Sequence, residues 1–169
     1  MTIFPSAASE IQTDEWKYSG IGGWLIPVTI GLCLSPLFQS AYVITTLMPI
    51  FTKGSWAVLT TPGSPAYHHL WGPVILLETS MNVGLPVSEI LLLVLLFRRK
   101  RLFPRLMIGY LFISFALIAS DYFLAQGIPA VAHVNSPDSA GAVIRSGLMC
   151  AIWVSYFLRS KRVRGTFCR

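Results

Sequence analysis

Residues 70–97 read LWGPVILLETSMNVGLPVSEILLLVLLF and run directly into Arg98-Arg99-Lys100-Arg101. A hydrocarbon core about 30 Å thick is crossed by about 20 mostly apolar residues in helical form, and this stretch is longer than that. Its ionisable groups are Glu78 and Glu89 alone. Lys and Arg next to a span are retained on the cytoplasmic side, so the basic run marks the inner end. The stretch predicts a membrane-spanning helix.

Three more stretches have the same character. One covers about 21–48 and contains Pro27 and Pro36, which predict a kink or break. The span at 70–97 has Pro73 early and Pro86 in its interior. A third covers 105–126, after Pro104, and a fourth 140–158, with Asp138 placed as its N-cap. Proline is tolerated in such helices because neighbours or water satisfy the freed carbonyls. Between the first two spans, residues 49–69 hold Gly54, Pro62, Gly63 and Pro65 around Trp56-Ala57-Val58-Leu59. That composition predicts an outer loop with a short interfacial segment. The expected fold is an all-α integral membrane protein, one domain over 1–169 built as a four-transmembrane-helix bundle.

Composition agrees. Of 169 residues, 54% are hydrophobic and 12% charged, against about 25% charged in an ordinary soluble domain. Mean hydropathy is +0.63. The net charge of +6 raises the question of nucleic acid, but the chain has too few polar residues to build a solvated basic face. Nucleic acid is therefore not an expected partner. Disorder is excluded by the same apolar content. Residues 1–18 lack a positive head before an apolar core and a small-residue cleavage site, so no secretory signal is read there.

The remaining basic residues set direction. Arg105 follows the first cluster, and Arg159, Lys161, Arg162, Arg164 and Arg169 follow the fourth span. Lys53 is the one positive charge in the other two connections. Both termini are then cytoplasmic, with Lys17 on the same side. The basic clusters are expected to face anionic lipid head groups, at about 1 kcal/mol per charge, with Arg98, Arg99, Lys100, Arg101, Lys161 and Arg162 as the contacts. Trp16, Trp24, Trp56, Trp71 and Tyr122 fall near span ends, where amphipathic rings prefer to sit. No internal repeat points to an inverted-repeat transporter.

The informative residues are those that spans usually exclude. Glu78, Asn82 and Glu89 lie on one face of the second span, offset by four and eleven positions. Tyr110, Ser114 and Asp121 repeat those offsets on the third, and Arg145 and Tyr156 share a face of the fourth. Counted from the cytoplasmic ends, Arg145 lies roughly 20 Å up, Asp121 roughly 24 Å and Glu78 roughly 28 Å. An arginine side chain bridges such differences. An intramembrane cluster of Glu78, Asn82, Asp121 and Arg145 is therefore expected. One arginine does not neutralise two carboxylates, so the site should hold a proton, a cation or water. Glu89 has no obvious partner within the spans.

On the second span Ser80, Gly84 and Ser88 repeat by four, the small-xxx-small pattern of close helix approach. A rotation of about 200° separates this seam from the polar one. It is a candidate contact with a second copy of the chain or another membrane protein. Cys33, Cys150 and Cys168 lack disulfide or metal spacing, and Cys33 and Cys150 read as small hydrophobes. His68, His69 and His133 lack recognised ligand spacing, and His68 and His69, as neighbours, make a poor chelating pair. No metal and no cofactor are expected. The glycines at 20–23 do not form a dinucleotide fingerprint, since no strand precedes them.

Gly22-Gly23-Trp24-Leu25-Ile26 with Ser35-Pro36 resembles the start of a bacterial family of small inner-membrane proteins, the YdgK-like domain of unknown function. Glu78 with Asn82, Asp121-Tyr122, Ile152-Trp153, Tyr156-Phe157-Leu158, Ser160-Lys161-Arg162-Val163 and Thr166-Phe167 are similar to the rest of its pattern. Val154-Ser155 departs from the aliphatic-proline pair that pattern has there. The resemblance implies a four-span protein of the bacterial inner membrane and no activity.

Three functional readings follow. The leading one is a non-enzymatic accessory, assembly or interaction protein whose buried charges tie helices together. The alternative is a minimal proton- or ion-linked carrier or channel-like module. An enzyme comes third, with Glu78 or Glu89 as acid–base group and no nucleophile in view.

Overall fold

The structure, a computed structural model, describes residues 22–132 and 137–167. Helix α1 (Leu25–Tyr42) passes through a π-helical turn at Val43–Leu47 into α2 (Met48–Thr52). A short α3 (Ser55–Thr60) precedes α4 (Trp71–Phe97) and α5 (Leu102–Gln126). Then come α6 (Pro129–Ala132), α7 (Pro137–Arg159) and α8 (Lys161–Thr166). Four helical runs are long and apolar enough to cross a membrane: Leu25–Thr52, Trp71–Phe97, Leu102–Gln126 and Ala140–Arg159. The chain is an all-α, four-span membrane protein.

Neither Pro27 nor Pro36 breaks the first helix. Pro27 falls in the first turn of α1, where a missing N–H costs no intrahelical bond. Pro36 is carried within the same helix. The irregularity lies further on, where the Met48 N–H reaches back five residues to the Val43 carbonyl and Pro49 follows in the first turn of α2. The run therefore continues to Thr52 instead of stopping at 48. Asp138 lies inside α7, which includes Pro137 before it, so it is not the helix cap expected from sequence. His133 and Cys168 fall outside the described residues.

The spans pack in chain order, first on second, second on third, third on fourth. Their basic ends share one core. Leu25 and Leu32, Leu92 and Leu96, Phe103 and Phe157 are buried there together with Val163 and Phe167 from the C-terminal segment. Phe103 stacks on Phe167 at 4.8 Å and meets Phe157 edge-on at 5.9 Å. Ser160 caps α8 by accepting from the Val163 N–H, which turns that segment back under the bundle. Outward positions such as Phe38, Phe112, Phe123 and Leu148 are exposed apolar side chains, as helices solvated by lipid require.

The turn between the second and third spans is a Schellman motif. The Lys100 N–H bonds to the Leu95 carbonyl at 3.1 Å and the Arg99 N–H to the Leu96 carbonyl at 3.0 Å. Such a motif needs a left-handed residue, usually glycine, and here Arg99 takes it with φ 50°. A side chain in that region costs about 1–2 kcal/mol. Arg99→Gly is expected to stabilise the fold by about 1 kcal/mol in thermal unfolding in detergent, since only part of that strain is offset by glycine's extra chain entropy.

Candidate functional site

Between the four spans lies a cavity of about 480 Å³. The first span contributes Pro27, Gly31, Ser35 and Gln39, and the second Met81, Asn82, Leu85 and Glu89. Met107, Tyr110, Ser114 and Phe115 come from the third, and Ser146, Met149, Cys150 and Trp153 from the fourth. Along the fourth span the inward positions recur every three or four residues, the period of one helix face. Most of the lining is apolar. Its polar pole is Glu89.

Glu89 is 2% exposed, and three uncharged residues hold it. Ser35 Oγ donates to Oε1 at 2.8 Å. Gln39 Nε2 donates to both carboxylate oxygens at 3.1 Å and to Ser35 Oγ at 2.7 Å. The Tyr110 hydroxyl donates to the same Oε1 as Ser35. Glu89 therefore has partners within the spans, contrary to expectation. Two lie on the first span, where Ser35 and Gln39 stand four apart and so on one helix face. They are polar without being ionisable, so charge alone does not mark them in the sequence. Among the described residues the lining contains no lysine, arginine or histidine; Glu89, Tyr110 and Cys150 are its titratable groups.

The polar faces of the second and third spans divide between two places. Asn82, Glu89, Tyr110 and Ser114 line the cavity. Glu78 instead accepts from the Tyr42 hydroxyl at 2.5 Å, just before the π turn of the first span. Asn82 Nδ2 donates to the Glu78 backbone carbonyl at 2.9 Å, and Ser114 Oγ to that of Leu111 at 3.1 Å. One oxygen of Asp121, Oδ1, is buried without a hydrogen-bond partner, as is the Tyr156 hydroxyl.

Among the described residues Arg145 does not pair with the acids of the expected cluster. Arg145 is exposed, and among the described residues no ion pair joins it to Asp121 or Glu78. The reason is azimuth, not depth. Arg145 is one position before the inward Ser146, a turn of about 100° around the helix. It is also about 7.5 Å inside the Ala140 end of the Ala140–Arg159 span, within snorkelling reach of the interface. Arg145→Gln is expected to change stability by less than about 0.5 kcal/mol, read as an unchanged unfolding midpoint.

Residues 18–168 match the family described as Protein of unknown function (DUF2569). The chain belongs to this family. Neither the curated proteins nor the solved structures gave a match. For this DUF2569 member the chemistry is therefore read from the cavity itself. Its hydroxyl partners matter most. Ser and Tyr hydroxyls donate or accept, so Ser35 and Tyr110 can satisfy Glu89 as a carboxylate or as an acid.

Proposed function

We propose that this protein is a non-enzymatic module of the bacterial inner membrane, with both termini cytoplasmic, that binds a small solute at Glu89 and exchanges it for a proton. This is the proton-linked carrier reading. The observation that carries it is a buried carboxylate at a cavity wall, ringed by partners that are all uncharged. Structural ion pairs in membranes neutralise each other; a lone carboxylate needs a proton or a visiting cation. The neutral, two-way hydroxyls suit a group that changes state. Infrared difference spectra of the reconstituted protein test it. Acidification should produce a carboxylic-acid carbonyl band that is absent from Glu89→Gln and kept in Glu78→Gln and Asp121→Asn. A Glu89 that stays ionised throughout, or protonated throughout, would remove the exchange reading.

A second reading, the accessory or assembly protein, is favoured by one observation. Ser80, Gly84 and Ser88 are all exposed on the outer face of the second span. A Cβ at Gly84 meets nothing within 4 Å, so Gly84→Leu should leave the monomer intact. Loss of self-association or of a co-purifying membrane protein in that variant supports this reading, and unchanged association removes it. For the basic end, with Arg98, Lys100, Arg105 and Lys161 exposed, contact with anionic lipid on the cytoplasmic side is part of the same proposal.

A further inference from the structure

We infer that the solute taken by the cavity is a lipophilic organic monocation, a substituted ammonium or phosphonium with aromatic or alkyl groups, entering sideways from the bilayer. The inference rests on the reading of Glu89 as an exchange site and adds the chemical class and the route.

Charge selects the sign. Glu89 is the one acidic residue of a lining that, among the described residues, holds no basic side chain. An anion would meet a carboxylate with no compensating group. Size separates an organic cation from an inorganic one. About 480 Å³ falls within the range of roughly 300–1,000 Å³ typical of sites for drug-sized ligands. A hard metal cation needs about six or more oxygen ligands in its shell, or retained water. Here the carboxylate oxygens are already engaged by Ser35, Gln39 and Tyr110, and among the described residues no three His, Cys, Asp or Glu side chains converge.

The rest of the wall suits a soft, bulky cation. Phe115, Tyr110 and Trp153 place aromatic residues in the lining, and aromatic rings attract ammonium-type charge. Met81, Met107 and Met149 are flexible and polarisable, and adapt to varied apolar bodies. A delocalised charge of this kind needs no direct oxygen coordination, only a nearby carboxylate and a dry surround.

The route follows from packing. Among the described residues the first and fourth spans do not pack along their length, unlike each consecutive pair. They meet at Trp24 and Trp153, whose rings lie edge-to-face at 6.3 Å. Gly31 lines the cavity from the first span, and a Cβ there meets nothing within 4 Å. The sparse packing between these two spans is the route by which the cavity would open toward lipid.

Exchange balances as follows: the protonated Glu89 carboxyl releases its proton to water and the cation takes its place beside the carboxylate. No covalent bond forms apart from that transfer. Tyr110 from the third span and Cys150 from the fourth are the other titratable groups facing the cavity, and the first span offers only Ser35 and Gln39. Acid should therefore weaken binding through Glu89.

Tetraphenylphosphonium, the same-shaped anion tetraphenylborate and neutral triphenylphosphine oxide are the probes, titrated onto the full protein in nanodiscs. Saturable tetraphenylphosphonium binding is expected, with proton release detected by a pH dye. It should weaken on acidification and fall by about a hundredfold in Glu89→Gln, the scale for removing one partner of a desolvated charge pair. Gly31→Phe, which fills the cavity and leaves the Glu89 hydrogen bonds in place, should also abolish it. Two results overturn the inference. Equal binding of the anion or the neutral probe, unaffected by Glu89→Gln, removes the cationic class and leaves a proton-exchanging Glu89 to the infrared test. Tetraphenylphosphonium binding that survives Gly31→Phe removes the cavity as its site.

Discussion

Replacing Phe103 by alanine is expected to lower stability by about 3–5 kcal/mol, the largest loss from any single truncation in this fold. Phe103 is 0% exposed, with Phe157 and Phe167 on its ring and Leu25 and Leu96 in the same core. Lipid tails are as apolar as the side chains, so helix association here draws on contact packing and not on expulsion of water. A void at Phe103 leaves its lining atoms with no partners on one side. The core around this ring joins all four spans to the C-terminal segment, so its loss should loosen α8 as well. Thermal unfolding in detergent is the measurement, with Phe123→Ala as control because Phe123 is 70% exposed and should change little. A Phe103→Ala midpoint close to that control would show that the aromatic core does not hold the basic end together.

The spans were legible because the bilayer imposes a length and a composition that few soluble helices share. The inward faces of the second and third spans were legible in part, since Asn82 and Glu89, like Tyr110 and Ser114, sit at helical spacing among apolar neighbours. Which charges meet was not. Depth along a helix comes from counting residues, but azimuth depends on which face the neighbours cover. For the fourth span that face is marked by Ser146, Gly147 and Cys150, small residues that admit a neighbour. Gly147 fits this, because a Cβ there would come within 3.1 Å of the Phe115 ring. Arg145 lies off that stripe and so misses Asp121. The first span carried a signal of another kind. Ser35 and Gln39 have no charge to exclude from lipid, so a search for expensive residues passes over them. Yet hydrogen-bonding side chains four apart in an apolar run mark a polar face as surely as acids do. Tyr42, which meets Glu78, belongs to the same overlooked face of the first span.

Glu89→Ala is expected to destabilise the bundle by about 2 kcal/mol, taking interhelical polar contacts in membranes at about 0.6 kcal/mol each for its three partners. Glu89→Gln should cost less. A glutamine keeps the volume, and its amide oxygen still accepts from Ser35 or Tyr110, while its amino group must turn away from the Gln39 donor. Stability should therefore fall in the order wild type, glutamine, alanine. Ligand binding should not follow that order, because both variants lack the charge that selects a cation. The comparison separates two roles of one carboxylate. A tie between helices acts through its bonds, so its functional loss tracks its loss of stability. A charge-exchange centre acts through its ability to hold or give up a proton, which glutamine cannot do however well it is bonded. If Glu89→Gln melts near the wild type and binds no tetraphenylphosphonium, the charge is the working element. If it melts as low as alanine, Glu89 is a structural bond, and the cavity beside it is a gap left by packing.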